Sequence, residues 1–211
     1  MARRKKAAEG FHKSKIAEAA GKLFVKKGIE KTTMDDISKE SGYGKATLYV
    51  YFKNKDAIVS ALALESMNIL NERIKSVVNE NDCVETQYMN ICNEILEFQK
   101  TYPEYFTVVV SKIGIDNDNT NDTKTYDIGE EINESIIKMM VKGIRSGALR
   151  KDIQLPQTIY TFWASIYGII SMTEQKQDYI SKSMGIESAE LMNYSFKLLF
   201  QSIKESEKWK N

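Results

Sequence analysis

The residues best suited to chemistry lie together between Thr32 and Lys55, in the stretch TTMDDISKESGYGKATLYVYFKNK. Thr33, Thr47, Tyr49 and Tyr51 carry hydroxyls and Lys45, Lys53 and Lys55 carry ammonium groups, all donors suited to phosphate oxygens. Lys45 can also reach the acceptor pair on the major-groove edge of guanine, while Ala46 and Val50 are small and apolar enough to touch a thymine methyl. Such a set grips a polyanion and reads base edges; it does not turn over a substrate. His12 is the single histidine and stands in a basic stretch with no partner near it in sequence. No phosphate-binding glycine loop or nucleophile elbow occurs. We therefore expect no catalytic residues and no cofactor.

These side chains act together only if short helices hold them. Ile16, Ala20, Leu23 and Phe24 recur at helical spacing, so the sequence predicts a first helix over 13–27, closed by Gly28. Thr33 precedes Met34, Asp35 and Asp36 as an N-cap does, which opens a second helix ending near Ser41. Gly42, Tyr43 and Gly44 form a tight turn into a third helix, Lys45 to Tyr51, with Leu48 as its inward anchor and Phe52 closing the unit. Two short helices joined by a glycine-containing turn make a helix-turn-helix. A longer helix is expected over 55–79, and others over 82–101, 103–112, 126–146, 156–176 and 187–208, with Pro103 and Pro156 at first helical positions. No convincing strand is present, so the fold class is all-α.

Charge separates the chain in the same way. Residues 1–55 carry a balance of +8 and residues 56–211 a balance of −7, although the whole sums to +1. We read 1–55 as a nucleic-acid-binding domain with a basic tail, Arg3, Arg4, Lys5 and Lys6, and 56–211 as a second helical domain. With 42% hydrophobic and 28% charged residues among 211, the composition suits a packed soluble protein rather than a disordered one. No apolar run approaches the roughly 18 residues of a membrane helix, and no secretory signal is visible. Cys83 and Cys92, nine residues apart, fall on opposite sides of a common helix, too far apart to bridge. Together these features point to a reducing cytoplasm and no membrane. The polar run Asp116 to Asp122 weakly resembles a calcium loop, but Asn121 stands where glycine is required and Asp127 where glutamate is expected, so no metal is assigned.

The stretch from Thr32 to Lys55 resembles the N-terminal DNA-binding domain of the TetR family of bacterial transcription regulators. Lys45, Thr47, Leu48, Tyr49, Tyr51, Phe52, Lys53 and Lys55 match the family's recognition-helix pattern, and Lys26, Lys27, Gly28, Thr32 and Thr33 match upstream. The resemblance covers about residues 13–62. Gly44 departs from it where serine is common, removing a capping hydroxyl, and Val50 where a polar or aromatic residue is frequent. The resemblance implies that Thr33, Lys45, Ala46, Thr47, Tyr49, Val50, Tyr51 and Lys55 contact double-stranded DNA, at a pseudo-palindromic operator bound by a homodimer. It further implies a C-terminal helical bundle holding a small-molecule effector, and most often a repressor that the effector releases.

Large, pliable side chains in the acidic part suit an apolar or flat ligand. Phe98, Tyr105, Phe106, Tyr126, Met139, Trp163 and Tyr167 are the candidates. The sequence TIYTFWASIYGIISMT from Thr158 to Thr173 is apolar on several faces, as is 189–203, which points to burial in a dimer contact. Two other readings fit the same residues: a DNA-binding protein with no ligand, and a helical adaptor whose basic face meets an acidic protein.

Overall fold

The computed structural model describes residues 2–110 and 120–205, with side chains over 9–109 and 120–205. The described chain forms α1 (Ala2–Lys27), α2 (Met34–Ser41), α3 (Lys45–Tyr51), α4 (Lys55–Val77), α5 (Val84–Thr101), α6 (Pro103–Val110), α7 (Thr120–Ser146), α8 (Leu155–Gln175), a short α9 (Gln177–Tyr179), a π-helical turn (Ile180–Met184) and α10 (Ser188–Gln201). Among the described residues the only β-type pairing is an isolated bridge between Leu149 and Lys204. The fold is all-α, with a helix-turn-helix in α2 and α3.

Several boundaries differ from expectation. Helix α1 starts at Ala2 rather than Lys13, so the basic tail continues the first helix. Nothing between Ala2 and Lys13 breaks a helix except Gly10, and Glu9 pairs with Lys13 one turn on, at 3.0 Å. Helix α7 starts at Thr120 rather than 126, because the Asn, Asp and Thr residues read as a loop occupy the first turns of an amphipathic helix. Thr125 is buried there and donates its hydroxyl to the Asn121 carbonyl. Residues 116–119 of the calcium-like run, and 111–112 of the helix expected over 103–112, lie outside the described residues. Pro156 is the second residue of α8, not the first. Helix α10 stops at Gln201, where the chain turns into the Lys204 bridge. Cys83 falls just before α5, exposed, while Cys92 is buried within it; both thiols are free.

The chain packs into two compact units, Met1–Leu70 with Phe98–Gly129, and Asn71–Glu97 with Glu130–Asn211. The boundary by packing falls inside α4, whereas the boundary by charge falls at 55/56. In the first unit one apolar core unites Ile16, Ala20 and Phe24 of α1, Ile37 of α2, Leu48 of α3, Phe52, Ile58 and Leu62 of α4, and Val108 of α6. In the second, Tyr88 of α5 is fully buried, its ring 5.4 Å from Phe162 of α8 and 5.0 Å from Phe200 of α10. Its hydroxyl donates to the Phe196 carbonyl at 3.0 Å. Burial pushes the neighbouring Cys92 thiol up to about 12, which keeps it protonated and unreactive.

Local chemistry fixes the two short helices. The Thr33 hydroxyl accepts from the Asp36 amide while the Asp36 carboxylate accepts from the Thr33 amide, a complete capping box on α2. Gly42 ends α2 at φ 72°, a left-handed conformation that a side chain would strain. The Lys27 ammonium 2.6 Å from Asp36, followed by the Thr33 hydroxyl and amide, holds the Asp36 carboxyl well below the usual carboxylate range. Such a group stabilises the fold above its unfolded value, and the contribution is lost as the pH falls through the lower folded value. Thr33→Ala is expected to cost about 1 kcal/mol in denaturant unfolding. Asp36→Asn is expected to flatten the loss of stability on acidification below about pH 4, where an unfolded aspartate takes up its proton; an acid titration as steep as that of the native chain would contradict the assignment.

Candidate nucleic-acid interface

Seven residues make too short a helix to persist alone in water, so α3 depends on what it packs against. Leu48 is completely buried, and Phe52 is nearly so. The opposite face is open: Lys45, Ala46 and Thr47 are exposed, Tyr49 is 51% exposed and Val50 78%. Tyr51 is half-buried. Ala46, Tyr49 and Val50 are thus left on the surface of α3, apart from the core. Gly44 is the N-cap of α3 and supplies no side-chain cap, consistent with the loss of the serine hydroxyl noted in the sequence.

The other sequence-predicted residues surround this face with their donors partly engaged. Lys45 Nζ lies 2.6 Å from Asp35 Oδ1, an exposed ion pair that raises the Lys45 ammonium above its ordinary value and contributes little to stability. The Thr33 hydroxyl is committed to the capping box. Lys55 Nζ donates to the Ile29 carbonyl at 2.7 Å and to the Glu30 carbonyl at 3.3 Å, so it ties the α1–α2 loop to the start of α4.

His12 was read from sequence as lacking a partner; the structure corrects this. Its Nδ1 shares a 2.6 Å hydrogen bond with the Tyr43 hydroxyl, and its ring lies 5.6 Å from Tyr43 and 5.5 Å from Tyr51. One turn before the buried Ile16, it stands on the inward stripe of α1, and that spacing was legible in the sequence. It joins α1 to the turn and to α3. The Tyr43 carbonyl also accepts from the Ser38 hydroxyl at 2.7 Å, so the turn is held from both sides. The side chains of Arg3, Arg4, Lys5 and Lys6 lie outside the described residues.

The seven candidates for ligand contact divide between the two units. In the first, Phe98 and Phe106 are buried, and Tyr102 stands between Phe98 and Tyr105 with ring centroids 5.7 and 5.6 Å away. Burial, with Glu65 nearby, raises the Tyr105 phenol above its ordinary range. Tyr126 is exposed on α7. In the second, Met139 is buried, Trp163 is half-buried and donates to Asn133 Oδ1 at 2.9 Å, and Tyr167 lies on the open face of α8. Tyr105 thus stacks on Tyr102, Phe98 tilts against the same ring, and Met139 is given to packing.

Comparison with known proteins places this geometry. A family model described as "Bacterial regulatory proteins, tetR family" matches residues 16–62, the span of α1 to α4 that carries the exposed face. An HTH-type transcriptional regulator of Bacillus subtilis, YhgD, is 28% identical over 142 residues, 65% of this chain and 72% of that protein. The fatty acid metabolism regulator protein of the same organism is 21% identical over 182 residues, 81% of this chain and 89% of its own. The crystal structure of the B. subtilis regulator FadR in complex with stearoyl-CoA superposes with a TM-score of 0.67 at 18% identity, covering 90% of this chain and 98% of that one. Residues 16–62 thus carry the DNA-binding domain of the TetR family of bacterial transcription regulators, and the fold along most of the chain is shared with solved regulators of that family.

Proposed function

We propose that the protein is a homodimeric repressor whose two α3 helices enter successive major grooves of a pseudo-palindromic operator, and that a small, largely apolar molecule releases it. The observation that carries the DNA reading is the face of α3: Leu48 alone is fully buried, and Lys45, Ala46, Thr47, Tyr49 and Val50 are exposed on the other side. A helix presented this way lies in the major groove with its N-terminal residues toward base edges. Lys45 and Val50 read bases, Ala46 adds apolar contact, and Thr47, Tyr49 and Tyr51 hold phosphates. Thr33 and Lys55 flank the face and act mainly through the cap and the loop they hold. On this reading residues 1–55 are the DNA-binding domain and 56–211 the effector and dimer domain, working in the cytoplasm.

Dimerisation is supported by α8 and α10. Tyr160, at 79% exposure, Ala164, Tyr167 and Ser171 form a stripe along α8, and Tyr194 and Leu198 continue an exposed apolar surface on α10. The opposite side of α8 is packed by Ile159, Phe162, Ile166 and Ile170, so this helix is apolar on two faces and needs a second partner. A ligand reading is supported by buried acceptors that lack a donor among the described residues, Gln99 Oε1 in one unit and Asn71 Oδ1 in the other. Buried oxygens of that kind are costly unless something satisfies them.

Selection of bound duplexes from a randomised pool tests the DNA reading. A palindrome is expected to be enriched, and Lys45→Ala or Val50→Ala to change preference at particular base pairs, each worth about 1–3 kcal/mol. Tyr49→Phe is expected to weaken all sequences alike. No enrichment with a folded dimer would favour an adaptor instead. Light scattering tests the dimer: Tyr194→Glu together with Leu198→Glu should yield a folded monomer, and an unchanged mass would move the interface elsewhere. For the release step, a compound that raises the melting temperature should weaken operator binding at least tenfold, equal to about 1.4 kcal/mol of coupling. Stabilising compounds that leave operator affinity unchanged would show a DNA-binding protein that no ligand switches.

A further inference from the structure

His12 has one ring nitrogen engaged and the other left over. Nδ1 is 2.6 Å from the Tyr43 hydroxyl, and the half-buried ring meets Tyr43 edge to face at 5.6 Å and tilts against Tyr51 of α3 at 5.5 Å. Nε2 has no hydrogen-bond partner among the described residues. The polar side-chain atoms there that are both buried and unpartnered are Asn71 Oδ1 and Gln99 Oε1, so Nε2 is open to solvent.

The Tyr43 partner sets the tautomer. A neutral imidazole carries one proton, and the hydrogen bond made by one nitrogen decides whether the other donates or accepts. Among the described residues the Tyr43 hydroxyl has no acceptor besides Nδ1, so donation to Nδ1 is the arrangement that uses its proton. The imidazole proton then sits on Nε2, which becomes a donor. The opposite tautomer would present a lone pair there, which an anion repels.

The neighbours of this nitrogen suit a nucleic-acid backbone. Phe11, its ring edge-on to His12 at 5.7 Å, is 59% exposed, and Lys15 Nζ stands 5.7 Å from the centre of that ring. The acidic Glu9 on the same stretch is paired with Lys13 at 3.0 Å. Because His12 touches both the turn that leads into α3 and Tyr51 within it, it flanks the reading face rather than standing on it. The flank of a helix in the major groove meets sugar and phosphate, which fix register and carry no sequence.

We propose that His12 Nε2–H donates directly to one backbone phosphate in each half-site, in a tautomer held by the Tyr43 hydroxyl. The contact rests on the operator reading and adds to it a neutral grip from α1, outside the residues that the family resemblance implies.

Binding of the full chain to its selected duplex tests the contact, with a methylphosphonate placed at one backbone position at a time and the pH at about 8, above the range in which histidine ordinarily titrates. His12→Asn keeps a polar atom where Nδ1 stands and removes the Nε2 donor. It should weaken binding to the unmodified duplex about fivefold, the usual size of one hydrogen bond. The methylphosphonate penalty should shrink by the same factor at one position per half-site and stay unchanged elsewhere. His12→Gln, which returns an N–H at the Nε2 distance, should recover part of the affinity. Tyr43→Phe leaves the ring contact in place and frees the tautomer, so it should shrink the penalty at the same position to a lesser degree. Salt dependence should stay as steep as in the native chain, since a neutral donor releases no counterion. Native affinity in His12→Asn, a loss spread evenly over all backbone positions, or a shallower salt dependence would each overturn the contact and leave the operator reading standing. A native chain that selects no duplex would overturn both.

Discussion

Burial of one leucine carries more of this molecule's function than any polar contact. Helix α3 has seven residues, below the length at which a helix holds itself together in water, so its conformation is borrowed from the core through Leu48. Because Leu48 is the one fully buried residue of α3, with Tyr51 half-buried against the same core, the remaining positions are free to face outward. A second buried residue on α3 would have taken positions from the reading face. The core that receives Leu48 is drawn from α1, α2, α4 and α6, and truncating that side chain would leave a cavity in all of them at once.

Polar contacts then set the direction of the helix that this burial stabilises. The capping box at Thr33 and Asp36 starts α2, the left-handed Gly42 ends it, and Ser38 and His12 hold Tyr43 in the turn. Lys27 on Asp36 and Lys55 on the Ile29 and Glu30 carbonyls close the loop between α1 and α2. These are weak bonds singly, since most are exposed, but each removes a different freedom of the turn. The Lys45 to Asp35 pair has another consequence: on the proposed reading, the cation offered to DNA is already held by an anion of the same unit. Binding a phosphate or guanine therefore exchanges one partner for another, which favours discrimination over raw affinity.

Much of this was legible in the residues. Periodicity places the inward stripe of α1 and the isolated Leu48, and glycine placement marks the ends of α1 and α2, because these are local rules that tertiary packing did not override. The beginning of α7 was not legible, since a run of Asn, Asp and Thr has turn chemistry in isolation and becomes helical only when Thr125, Ile132 and Ile136 pack inward. The partner of His12 was missed for a different reason. Its hydrogen bond spans 31 residues, and nothing in local spacing announces a contact made by the fold. The same limit applies to ligand residues: aromatic and methionine side chains look alike in sequence whether they fill a core, as Phe98 and Met139 do, or stand open to solvent, as Tyr160 and Met172 do.

The central claim is that the exposed face of α3 sits in the major groove, once per protomer. Protection of guanine N7 from methylation reports occupancy of that groove directly, base by base. On a selected duplex the account predicts two protected clusters on one face of the DNA, about one helical turn or 34 to 36 Å apart, both lost when Leu48 is replaced by alanine. Protection confined to minor-groove adenines, or a single cluster without a symmetry mate, would contradict it.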